Sequence, residues 1–87
     1  MPTAQLKINI YVGNLSVGVT AEELRPAFEA FGQVIAVTIF RDKTGGQPRG
    51  YGYVEMPNEA EAHAVISGLN GKELKWRPII VNKSLVQ

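Results

Sequence analysis

Residues Arg49 to Met56 read RGYGYVEM, and the alternation within this stretch decides how the whole chain is read. In an extended strand, successive side chains point to opposite faces. Tyr51 and Tyr53 therefore share one face with Arg49 and Glu55, while Gly50, Gly52, Val54 and Met56 share the other. Val54 and Met56 claim that second face for a core. Two large rings are left on the solvent side, beside charged neighbours and with only glycine between them.

The same alternation appears upstream. In KINIYV, Ile8, Ile10 and Val12 form one face and Lys7, Asn9 and Tyr11 the other, and Gly13-Asn14 is expected to break this strand. Thr20 and Glu23 make a capping box that opens a helix. Its apolar face carries Leu24, Ala27, Phe28 and Phe31, and Gly32 is expected to end it. Pro26 removes a backbone donor and predicts a kink or a loosened first turn. VIAVTIF, residues 34–40, is rich in β-branched side chains and reads as a second strand. Val37 and Ile39 take one face, Thr38 and Phe40 the other. DKTGGQP is a loop leading into RGYGYVEM.

Asn58 then caps a second helix with the stripe Ala62, Val65, Ile66 and Leu69, which Asn70-Gly71 stops. KELKWRP links it, directly or as a short hairpin, to a last strand over 79–83 in which Ile79 and Val81 face one way. Trp76 is expected to pack its ring on a strand edge. His63 falls off its helix's apolar stripe and reads as a solvated residue.

The order strand, helix, strand, strand, helix, strand predicts an α+β ferredoxin-like sandwich. Each helix has one apolar stripe, so both must cover the same face of a four-stranded antiparallel sheet. The other face lies open. The 87 residues suggest one domain over 1–87, with its core at about 8–84.

Composition narrows the function. The chain has no cysteine and one histidine, so no disulfide framework, cysteine metal site or histidine-rich metal site is available. No cofactor is expected. No apolar run approaches the ~20 residues that span a membrane, and the start lacks a signal-peptide pattern. A cytoplasmic protein is expected, or a nuclear one for a domain excised from a eukaryotic protein. The net charge of +1 hides an asymmetry. Glu22, Glu23 and Glu29 against Arg25, and Glu59 with Glu61, give each helix −2 and leave +5 elsewhere. The cations Lys7, Arg41, Lys43, Arg49, Lys72, Lys75, Arg77 and Lys83 are thus expected on strands and loops, facing an anion.

All three tyrosines, Tyr11, Tyr51 and Tyr53, fall on the open face by alternation, and Phe40 joins them. Rings within a cationic rim suit stacking against bases, each stacked base contributing ~1–3 kcal/mol.

IYVGNL, Ile10 to Leu15, and RGYGYVEM resemble the two short signature motifs of the RNA recognition motif family. Arg49, Gly50, Tyr51, Gly52 and Val54 match the longer motif, K/R-G-F/Y-G/A-F-V-x-F/Y. Tyr53 replaces its phenylalanine and keeps the ring. Met56 replaces the last aromatic at an inward position. Leu24 to Gly32, Asp42 to Gly50 and Leu69 to Gly71 are also similar, so the resemblance covers nearly the whole chain. The chain looks closest to compact single-motif proteins of bacteria.

The resemblance implies a single-stranded RNA-binding module, with single-stranded DNA able to fit the same rings. It implies that Tyr11 and Tyr51 each lie beneath a base, Tyr53 lies against the sugars between them, and Arg49 pairs with a phosphate. Lys7, Asn9, Asn82 and Lys83 would touch base edges or backbone near the sheet margin. The alternative is a protein-interaction module on the same scaffold, acting through the helical face, against which the retained outward rings count. A monomer is expected, a weak dimer through Phe40, Ile80 and Trp76 being the other reading. Small acyl-phosphate hydrolases share this element order but need an arginine in a phosphate-cradling loop. GNLSVGVT has none, so an enzyme is not expected.

Overall fold

The computed structural model describes residues 7–16, 18–42 and 49–84, with Arg41, Asp42 and Arg49 described by their backbone alone. The expected DKTGGQP loop thus lies mostly outside the described residues. In chain order the elements are β1 (Ile8–Leu15), α1 (Ala21–Glu29), β2 (Ala36–Asp42), β3 (Arg49–Met56), α2 (Glu59–Leu69), β4 (Glu73–Leu74), β5 (Arg77–Pro78) and β6 (Ile80–Lys83). β2, β3, β1 and β6 form a four-stranded sheet in that order, antiparallel throughout, and β4 pairs with β5 in a separate hairpin.

The inward alternation of the strands meets both helical stripes in one core. Ile10, Val12, Val54, Met56 and Val81 come from the sheet, Leu24 and Phe28 from α1, and Ala62 and Val65 from α2. Every one of these is fully or almost fully buried, and among the described residues no polar or charged residue is. Both helices therefore lie on one face and the other face stays open, as the sequence requires.

Local chemistry departs from expectation in several places. β1 does not stop at Gly13-Asn14 but continues to Leu15, with a register irregularity between Val12 and Leu15. Asn14 takes a left-handed φ of 58°, a conformation asparagine tolerates. α1 ends at Glu29, before Gly32, and the Ala30 cap donates back to the Pro26 carbonyl. Gly32 instead makes room. A Cβ there would collide with the Glu61 side chain, whose Oε1 accepts from the Gln33 N–H at 3.1 Å and ties α2 to the end of α1. Pro26 does not loosen the first turn. The capping box closes it, and the Leu24 N–H reaches the Thr20 carbonyl at 3.0 Å. Asn58 caps α2 through the Glu61 N–H, and Gly71, at φ 86°, follows its last turn.

KELKWRP forms the hairpin, with Lys75 (φ 52°) and Trp76 (φ 66°) at its tip. Two left-handed central residues are the type I′ pattern, which favours Asn-Gly. A side chain in that region costs roughly 1–2 kcal/mol per residue. The hairpin is braced against the end of β1 and the start of α1. Lys75 Nζ contacts Glu23 Oε2 at 3.0 Å and donates to the Gly18 carbonyl at 3.3 Å. Ser16 Oγ donates to the Lys75 carbonyl at 3.1 Å. Arg77 Nε donates to Asn14 Oδ1 at 2.9 Å, and Asn14 Nδ2 to the Pro78 carbonyl at 2.7 Å. Trp76 itself projects into solvent. It is 91% exposed, against the expectation of a ring laid on a strand edge.

One carboxylate thus both caps α1 and holds the hairpin. The Lys75 ammonium, and after it the Thr20 backbone N–H, hold the Glu23 carboxyl below its ordinary range. A depressed folded-state pKa stabilises the fold at neutral pH, and that contribution is lost as pH falls through the folded value. Glu23→Gln is expected to unfold at a lower temperature than the parent at neutral pH, with the gap closing below about pH 4. Thermal unfolding of both proteins across that range checks it; a gap that widens on acidification would overturn the coupling.

Candidate nucleic-acid interface

Strand register assembles the open face row by row. Tyr11 stands opposite Tyr53 on one side and Asn82 on the other, and Tyr53 stands opposite Thr38. One row, Thr38, Tyr53, Tyr11, Asn82, therefore crosses all four strands. In the next, Phe40 faces Tyr51 and Gly13 faces Ile80. On the other side, Ala36 faces Glu55 and Glu55 faces Asn9.

The four rings form one cluster. Tyr51 lies near-parallel to Phe40, with centroids 5.3 Å apart and planes 25° apart, and near-parallel to Tyr11, at 6.2 Å and 27°. Tyr53 stands edge-on to all three, at 5.9 Å from Tyr11, 6.2 Å from Tyr51 and 6.3 Å from Phe40. Aromatic pairs prefer these offset and edge-to-face geometries, so the cluster holds its own shape. Tyr51 remains 37% and Phe40 45% exposed, enough to leave ring area for a ligand.

Gly13 belongs to this site, although the sequence marks it only as a breaker. A Cβ there would fall 2.6 Å from Tyr11 Oη and 2.7 Å from Cε2. The Tyr11 ring therefore lies along the strand over Gly13, and the missing side chain lets it do so. Ile80, opposite Gly13, is half exposed and extends this edge.

The polar residues divide. Lys7 lies on the ring face and pairs with Glu55 at 3.3 Å, which neutralises the one carboxylate that, of the described side chains, is set among the strand aromatics. Asn9 shares that face, and its carbonyl accepts from the Ser84 N–H at 2.8 Å. Asn82 is outward, its Oδ1 accepting from the Lys83 N–H at 2.9 Å. Lys83 pairs with Ile10, so its side chain starts from the helix-facing side of the edge strand, away from the rings. The Lys75 charge is taken up by Glu23. Arg49 occupies the first position of β3 by its backbone; its side chain, like Lys43, lies outside the described residues. Among the described residues, no helix is long and apolar enough to cross a membrane.

An antiparallel sheet backed by two helices, with rings on its two central strands, defines a class, and comparison with known proteins names it. The RNA recognition motif model matches residues 10–80, and the chain belongs to that family. RbpA of Nostoc sp. is 47% identical over 77 residues, covering 88% of this chain and 76% of RbpA. Glycine-rich RNA-binding protein 1 of Mycosarcoma maydis is 42% identical over 73 residues, covering 84% of this chain and 42% of that longer protein. Among solved structures, RNA binding protein PG1 superposes with a TM-score of 0.80 at 36% identity, covering 92% of this chain and 96% of PG1. The second such domain of yeast poly(U)-binding protein Pub1 gives 0.76 at 31%, with coverages of 92% and 96%.

Proposed function

We propose that this chain is a single-domain binding module for single-stranded RNA, and that it acts as a monomer and not as a catalyst. The observation that carries the reading is the cluster of Tyr11, Tyr51, Tyr53 and Phe40 on a sheet face that no helix covers. Tyr11 and Tyr51 each take a base, and Phe40 widens the platform beyond Tyr51. Tyr53, edge-on between them, meets the sugars. Arg49 and Lys83 meet phosphates, Lys83 reaching in from the sheet edge. Asn82 and Asn9 offer amides to base edges, and Lys7 shields Glu55 from the RNA backbone. The Mycosarcoma relative is named as RNA-binding and Pub1 as poly(U)-binding, which supports this reading.

Splayed bases present their faces only in single strands. Fluorescence-anisotropy titrations with randomised single-stranded RNA, the same pool annealed to its complement, and single-stranded DNA check the proposal. Single strands are expected to bind well above the duplex. With two phosphates neutralised, log K should fall against log salt with a slope of about −1.4. Equal affinity for duplex, or no salt dependence, would overturn it. The DNA arm reads whether the 2′-hydroxyl contributes.

A further inference from the structure

We propose that Trp76 is a further base-stacking platform, one that extends the bound single strand of RNA past the end of the sheet. The inference rests on the RNA reading above and adds a site to it.

Exposure alone decides nothing, because single apolar side chains are common on surfaces. The backbone beneath Trp76 is what sets it apart. Lys75 and Trp76 both occupy left-handed conformations in a two-residue turn where Asn-Gly would sit without strain. Lys75 is accounted for by its contact with Glu23, but a hairpin needed only to reverse the chain has no use for an exposed tryptophan there. Strained residues persist where the surroundings hold them, and such positions cluster at ligand contacts. Here Glu23, Gly18 and Ser16 hold Lys75, and Asn14 holds Arg77. The indole is thus presented to solvent on a fixed support, which lowers the ordering cost of a contact.

Place and charge point to RNA as the occupant. Ser16, which bonds the Lys75 carbonyl, lies three residues beyond Gly13, the residue beneath the Tyr11 ring. On the other side, β5 runs through Ile79 into β6, whose Ile80 and Asn82 face the open surface. The hairpin that carries Trp76 is thus continuous in chain with the strand that edges the proposed interface. With Lys75 paired to Glu23, Lys72 and Arg77 flank the indole in sequence against Glu73, a local excess of one positive charge. Every base offers a flat face to an indole, so the contact lengthens the footprint without fixing a sequence.

Trp76 is the only tryptophan, so its emission reports on the hairpin tip alone. Randomised single-stranded RNA pools of about four and about ten nucleotides serve as probes. Trp76→Gly is the variant of choice, because glycine suits φ 66° and keeps the turn. The longer pool is expected to quench the emission, and Trp76→Gly to weaken its binding about five- to tenfold or more while leaving the shorter pool unchanged. Trp76→Phe should recover part of the loss. If Trp76→Gly alters neither length, or both equally, the inference fails while the RNA reading stands. Emission that tracks protein concentration without RNA would assign the indole to a second copy of the chain and overturn it as well. If the parent binds neither pool, both readings fall together.

Discussion

Replacing Tyr11 and Tyr51 together with alanine is expected to weaken single-stranded RNA binding by a hundredfold or more, with little change in thermal stability. Each stacked base is worth ~1–3 kcal/mol, five- to over a hundredfold in affinity. Tyr51 is the hub of the cluster, near-parallel to both Phe40 and Tyr11 and in contact with the edge of Tyr53. Its removal strips a base of its platform and also leaves its neighbours without lateral support. Tyr11 and Tyr51 sit 6.2 Å apart, so their losses should not simply add. The fold should tolerate the change, because neither ring belongs to the buried core between sheet and helices. Anisotropy titration gives the affinity, and thermal unfolding shows that the protein remains intact. A double variant that binds within about threefold of the parent would remove stacking as the mechanism.

This prediction could be framed from sequence because strand alternation is a local, period-two property. Once Val54 and Met56 are assigned to the core, the faces of Tyr51 and Tyr53 follow, and pairing with β1 adds Tyr11 directly opposite Tyr53. The helix caps at Thr20 and Asn58 were legible for the same reason, since each motif spans a few residues. What escaped depends on side-chain placement and backbone conformation that alternation does not carry. Gly32 reads as a helix stop, but its use is to admit Glu61 from the other helix. Gly13 reads as a breaker until the Tyr11 ring is seen lying over it. The left-handed turn at Lys75-Trp76 has no sequence signal, because a turn of that type predicts Asn-Gly. Lys83 differs in kind. It shares parity with Ile79 and Val81, so its helix-facing origin was available from the alternation itself.

Gly52→Ala is expected to destabilise the protein by about 1–3 kcal/mol and to weaken RNA binding in the folded fraction, whereas Gly50→Ala should be far milder. The two glycines flank Tyr51 and look equivalent in sequence. They are not equivalent in space. A Cβ on Gly52 would collide with the Thr38 carbonyl oxygen of β2, a backbone atom that cannot swing aside, while also meeting Ile39 Cγ1 at 3.4 Å. A Cβ on Gly50 would sit 3.4 Å from Leu15 Cβ and 3.5 Å from the Phe40 carbonyl, close but near ordinary contact. Accommodating a methyl group on Gly52 requires β2 and β3 to part where Ile39 faces it, one position from the Phe40–Tyr51 pair. The 5.3 Å ring contact should open with it. A domain of this length has only ~4–13 kcal/mol of stability, so the loss is large enough to read from a shift in the urea midpoint. Equal midpoints for the two alanine variants would show that strand approach at Gly52 is not what the glycine serves. A lower midpoint with unchanged RNA affinity would separate the sheet's stability from the ring geometry that it supports.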